Sequence, residues 1–96
     1  MNVVIESGAG QTQVSISGGC TIFEAADLRA QLLPLADSSG LLVVNLAAIS
    51  EIDTAGVQVL LALQKQTPLT LFTGPAAAVV QALDLLNLNR CFSIEA

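Results

Sequence analysis

The 96-residue chain has no histidine, no tryptophan and no tyrosine, and only three phenylalanines. Without histidine there is no His-based triad, no imidazole base and no ordinary zinc site, and two cysteines alone make no metal cage. Basic residues are as scarce: Arg29, Lys65 and Arg90 stand against eight acids, for a net charge of −5. That shortage argues against nucleic acid as a partner and against attraction to an anionic membrane surface. No apolar run reaches the roughly eighteen residues a membrane-spanning helix needs, so no direct membrane insertion is expected. Met1-Asn2-Val3-Val4-Ile5-Glu6 lacks the basic start and long apolar region of a signal peptide. These absences predict a cytoplasmic protein in which Cys20 and Cys91 are reduced thiols. The glycines of Ser7-Gly8-Ala9-Gly10 and Gly18-Gly19 come without a phosphate-loop lysine, so they make no nucleotide cradle. No cofactor and no metal are expected, and no base–nucleophile pair supports an enzyme.

What is present is aliphatic: 53% of residues are hydrophobic and 11% charged, enough for one domain spanning 1–96 with a real core. Val3-Val4-Ile5 and the alternating Gln13-Val14-Ser15-Ile16-Ser17 predict a β-hairpin, and Gly18-Gly19 breaks the pattern. Thr21, with Glu24 three residues on, fits a capping box opening a helix over about 22–33. Phe23, Ala26, Leu28, Leu32 and Leu35 share its apolar face. Pro34 bends any continuation toward Ala36, and Asp37-Ser38-Ser39-Gly40 reads as a turn. Leu41 to Leu46 is nearly uniform in apolar character, which predicts the central strand, buried on both faces. A helix over 54–66 follows and stops at Thr67-Pro68. Leu69 to Thr73 is the next strand, and Pro75 suits the first position of a helix over 76–86. Cys91 to Ile94 is a short last strand. The order is β-β-α-β-α-β-α-β, an α/β domain whose last three strands should run parallel with right-handed crossovers.

The junction after the central strand concentrates the chemistry. Asp53 stands at an N-cap position, and Gly56, in the first turn, costs about 1 kcal/mol of helix propensity relative to Ala. A glycine there suits another backbone coming close. At 100° per residue, Ala55, Val59, Leu60 and Leu63 face the sheet, while Thr54, Gln58, Leu61 and Lys65 form a stripe on the opposite side with Val57 flanking it. That mixture of hydroxyl, amide, apolar side chain and cation reads as an interaction surface. The simpler alternative is that Asp caps, Thr begins a helix and Gly accommodates packing.

Leu42-Val43-Val44-Asn45-Leu46, six residues, then Asp53-Thr54-Ala55-Gly56-Val57 resembles the central motif of STAS domains. These include bacterial anti-anti-sigma factors, the small subunit of phospholipid-transport ATPases and domains of sulfate transporters. The resemblance implies a mixed sheet with helices packed on one side and a partner-binding site at the strand-to-helix junction. It therefore assigns partner contact to Asp53, Thr54, Ala55, Gly56, Val57, Gln58, Leu61 and Lys65. In anti-anti-sigma factors the hydroxyl just before the glycine takes a phosphate from a serine kinase that is also the anti-sigma factor. Here that position is Ala55, which leaves Thr54 as the phosphoacceptor candidate, and Asn45 replaces a common Asp. Thr21-Ile22-Phe23-Glu24-Ala25-Ala26-Asp27-Leu28 with Asp53-Thr54-Ala55-Gly56-Val57-Gln58 is similar to stand-alone STAS proteins of chemosensory gene clusters. The Asp-Thr-Ala-Gly form also resembles the transport subunit, where the Thr contacts an ABC ATPase. The resemblance thus implies a non-enzymatic regulatory module. Its expected partner is a serine kinase/anti-sigma factor, a chemosensory protein or an ABC ATPase.

Overall fold

A computed structural model describes residues 1–8, 10–37, 40–67, 69–92 and 94–95. Five strands, β1 (Asn2–Gly8), β2 (Gln11–Cys20), β3 (Leu41–Ile52), β4 (Thr70–Thr73) and β5 (Ile94–Glu95), form one sheet in sequential order with β3 at its centre. β1 and β2 are the expected antiparallel hairpin; every later neighbour is parallel. Helices α1 (Ala25–Leu32), α2 (Thr54–Gln66) and α3 (Ala77–Leu85) make the connections. Ala9, Ser38, Ser39, Pro68 and Ser93, expected in turns, at a helix stop and in the last strand, lie outside the described residues.

All three helices share a single core with one face of the sheet. Val14 and Ile16 of β2, Leu42, Val44 and Leu46 of β3 and Phe72 of β4 meet Leu28, Leu32, Val57, Leu60, Leu63, Val79 and Leu83. Phe72 packs edge-to-face on Phe92, ring centres 5.2 Å apart and planes at 61°, a geometry that adds about 0.5–1.5 kcal/mol to plain burial. The expectation that β3 is buried on both faces is corrected. Along its first half Leu42, Val44 and Leu46 are buried while Leu41, Asn45 and Ala47 are exposed, because helices cover only one side.

The strands run further than their apolar cores suggest. β2 passes through Gly18-Gly19 to Cys20, where the sequence implies a break. The ladder to β3 shifts register between Ser15 and Ser17 and again between Gly18 and Gly19. Gly18 sits at φ +85, a conformation glycine adopts without steric cost, so the pair serves as a bulge and not as a stop. On β3 the Asn45 side chain accepts the Ala47 N–H at 2.8 Å, steadying the chain where the first shift occurs.

Two helix starts also differ from expectation. α1 begins at Ala25, after a turn over Thr21–Glu24 closed by Glu24 N–H donating to the Thr21 carbonyl at 3.0 Å. The Glu24 carboxylate accepts from the Thr21 N–H and hydroxyl, each at 3.0 Å. Only the glutamate half of the capping box survives, and Thr21 is not the cap. Ala26 and Phe23 therefore leave the buried face, which Leu28 and Leu32 hold with help from Leu35. Beyond Leu32 the chain tightens into a 3-10 turn, Leu33–Asp37, around Pro34. α3 is capped by Ala76 and starts at Ala77, so Pro75 lies just outside it. Asn89–Cys91 is 3-10 and the last strand is only Ile94–Glu95, shorter than the Cys91–Ile94 expected.

Candidate junction site

The register between β2 and β3 builds the site. Cys20 pairs with Ile52, so the two parallel strands finish side by side, where open α/β sheets place their ligands. The Thr21–Glu24 turn and the Asp53 cap then emerge next to each other.

Asp53 joins them. Its backbone is extended (φ −122, ψ −172), and its Oδ1 accepts the Gly56 N–H at 3.2 Å, an N-cap bond to an otherwise unpaired helix donor. Its Oδ2 accepts the Ile22 N–H, 31 residues away in sequence, at 2.9 Å. The Ile22 N–H does most to hold the Asp53 carboxyl below the ordinary carboxylate range. Partial desolvation opposes it, and the Gly56 and Ala55 N–H groups add to the lowering. Both carboxylate oxygens are engaged with backbone, so the group serves as a clasp and not as a proton acceptor.

Gly56 is where two backbones meet. A Cβ placed there would stand 2.1 Å from the Cys20 carbonyl oxygen. The neighbour is this chain's own β2. Gly56 is buried, and Val57 has no exposed surface. Neither can touch a partner, which corrects their assignment to the contact surface. Val57 is inside because α2 packs against α1 as well as against the sheet, and this widens its buried arc. The rest of the stripe is at the surface: Thr54, Gln58 and Lys65 are exposed, while Ala55 and Leu61 are half-buried. Thr54 is the first helical residue, next in the chain to the Asp53 cap.

Two hollows reach the residues on either side of Thr54 in the chain, Asp53 and Ala55. A groove of about 370 Å³ between α1 and α2 is lined mainly by Ala25, Ala26, Ala55, Val59 and Ala62, with Arg29 and Gln58 at its edge. A second hollow of about 580 Å³ is lined by Phe23 together with Thr21, Glu24, Glu51 and Asp53. Sequence reasoning missed Ile22 and Phe23, placing the latter in the core. They are 68% and 91% exposed. The signal that could have found them is the Thr21–Glu24 spacing, which as a closed turn lifts the two intervening side chains off the helix. Among the described residues no cluster of three metal-ligating side chains exists. Both cysteines are free; Cys20 is buried, which pushes its thiol pKa up, with Glu24 adding to the effect, and Cys91 is exposed.

The fold has known counterparts. An anti-sigma factor antagonist from Mycobacterium paratuberculosis superimposes with a TM-score of 0.83 at 23% identity, over 97% of this chain and 83% of that one. A serine-to-glutamate variant of RsbS from Moorella thermoacetica gives 0.76 at 20%, over 99% and 86%. The Bacillus cell fate determinant SpoIIAA in its phosphorylated form gives 0.71 at 13%, over 99% and 92%. At these identities the likeness carries the fold alone. No curated protein sequence matches the chain. The model of the family described as Mlab, STAS domain matches residues 4–95. With nearly every residue inside that match, the chain belongs to the STAS domain family.

Proposed function

We propose that this chain is a non-enzymatic, cytoplasmic regulatory module that docks on a partner protein through the start and outer stripe of α2. One observation carries the reading: Thr54, Gln58, Leu61 and Lys65 line the accessible face of a helix whose other sides are locked into the core, beside a shallow apolar groove. A mixed stripe on a rigid element, next to apolar surface, has the make-up of a protein interface. The solved relatives described as anti-sigma factor antagonists favour a signalling partner, a serine kinase/anti-sigma factor or a chemosensory protein. Thr54→Arg puts a long cation at the centre of this surface. Co-purification of the wild type with such a partner, abolished by Thr54→Arg in a folded variant, is the expected result. Retention of the partner by Thr54→Arg refutes the surface.

A phosphate on Thr54 would add about −1.5 to −2 charge at a helix start, where the helix dipole favours it and Asp53 opposes it. That charge, set in the middle of the docking face, is read here as the release signal. Incubation with the cognate kinase and ATP, followed by intact-mass measurement, tests it; an unchanged mass removes the switch.

A second reading has its own support. The family description names Mlab, and Asp53-Thr54-Ala55-Gly56 keeps the form of the transport subunit, so the partner would be the ATPase of a phospholipid-transport ABC complex. An ABC ATPase in the Thr54-dependent complex selects this reading; a kinase or response regulator selects the first.

A further inference from the structure

Resting on that docking surface, we propose that the Ile22–Phe23 tip is an apolar anchor that enters a pocket on the partner protein rimmed by lysine and arginine. Isolated exposed apolar residues are ordinary. Here two are adjacent, and a phenylalanine ring is 91% exposed on a turn that is anything but loose. Four hydrogen bonds hold that turn shut: Glu24 N–H to the Thr21 carbonyl, Thr21 N–H and hydroxyl to the Glu24 carboxylate, and Phe23 N–H to Thr21 Oγ1 at 3.4 Å. A fifth, from Ile22 N–H to Asp53, fixes the turn against the start of α2. A turn whose backbone is already ordered loses little freedom on docking, and an aromatic presented on it can carry a large share of an interface's affinity.

Charge defines what it enters. Glu24, Glu51 and Asp53 line the hollow that Phe23 also lines, and among the described residues neither lysine nor arginine lines it. Asp27, exposed on the first turn of α1, adds a fourth acid to this end of the molecule. A partner burying Phe23 brings its rim against these carboxylates, and cations there steer the encounter and offset the negative charge as water is displaced. The same acids repel an anionic bilayer, so the tip fits a protein and not a membrane.

The probe is the purified protein that co-purifies with the wild type, measured in parallel against the wild type, Thr54→Arg and Phe23→Ala. Phe23→Ala, which removes an exposed ring and leaves the core intact, is expected to weaken that complex about thirtyfold. Leu85→Ala, as exposed at 87% but on α3, leaves it unchanged. Glu51→Lys weakens it, and wild-type affinity falls as salt rises. A photo-crosslinking amino acid at position 23 attaches to a segment in which apolar residues are flanked by Lys or Arg. Phe23→Ala binding as tightly as wild type, while Thr54→Arg does not bind, overturns the anchor and leaves the docking surface standing. Full binding by both variants sinks the docking surface itself. Crosslinks to lipid, to an acidic segment or to nothing also overturn the anchor.

Discussion

Gly56→Ala sets two effects of opposite sign against each other in one residue. In an exposed helix the added methyl stabilises by about 1 kcal/mol. In α2 the new Cβ would lie 2.1 Å from the Cys20 carbonyl oxygen, 2.9 Å from Ile52 Cγ1 and 3.1 Å from the Cys20 carbonyl carbon, whereas ordinary contact begins near 3.4 Å. Relief requires α2 and β2 to separate by about 1.3 Å. Neither yields easily: Cys20 is held in the ladder to Ile52, and the same helical segment carries Val57 and Leu60 into the core. Overpacking against backbone belongs at the upper end of the usual range, about 3 kcal/mol. Less the propensity gain, the variant should lose about 2 kcal/mol, a fall in Tm of roughly 8–16 °C for a domain of this size. Urea and thermal unfolding measure it. Gly8→Ala is the control, because its nearest neighbour would be the Gln11 carbonyl oxygen at 3.8 Å, and should lie within about 0.5 kcal/mol of wild type. Wild-type or higher stability for Gly56→Ala would refute the close approach of the two backbones. It would also reopen Gly56 as a surface residue.

Other consequences follow from single side chains. Leu28→Ala removes a fully buried side chain and should cost about 2–5 kcal/mol. Phe23→Ala should change stability by less than about 0.5 kcal/mol, and a large loss in urea unfolding would return the ring to the core. Because its folded-state pKa is depressed, Asp53 contributes stability above the ordinary carboxylate range and loses it as pH falls through that lowered value. Asp53→Ala should therefore be less stable than wild type at neutral pH and converge with it in acid; a constant gap along the acid limb would contradict the clasp. The Thr67 hydroxyl is buried with no hydrogen-bond partner among the described residues. Thr67→Val should raise the urea midpoint, by about 1 kcal/mol of stability, and a lower midpoint would mean the hydroxyl is paired.

The junction was legible because its signals are local. Asp53, Thr54 and Gly56 announce a cap, a start and a close contact within four residues, and α2 spans the expected residues 54–66. The parallel neighbours were legible from the alternation of strands and helices. Elsewhere, local chemistry has two solutions and tertiary structure chooses. Gly18-Gly19 can end a strand or bulge it, and pairing with β3 selects the bulge. Thr21 and Glu24 can cap a helix or close a turn, and the Asp53 bond to Ile22 favours the turn. Nothing near Phe23 in sequence reports a carboxylate 30 residues on. Val57 fails for a related reason: a helical wheel assumes one buried side, and α2 has two. The uniform apolar run of β3 likewise conceals that helices cover one face only.

The Asp53 clasp makes two distant segments one unit of opening. The Ile22 and Gly56 amides donate to the two oxygens of a single side chain, so any opening that swings the Asp53 carboxylate away unprotects both loops together. Their hydrogens should exchange with solvent at a common rate set by one cooperative event, although 34 positions separate them. A ligand that tightens either loop would slow both, which makes this amide pair a built-in reporter of occupancy at this end of the sheet.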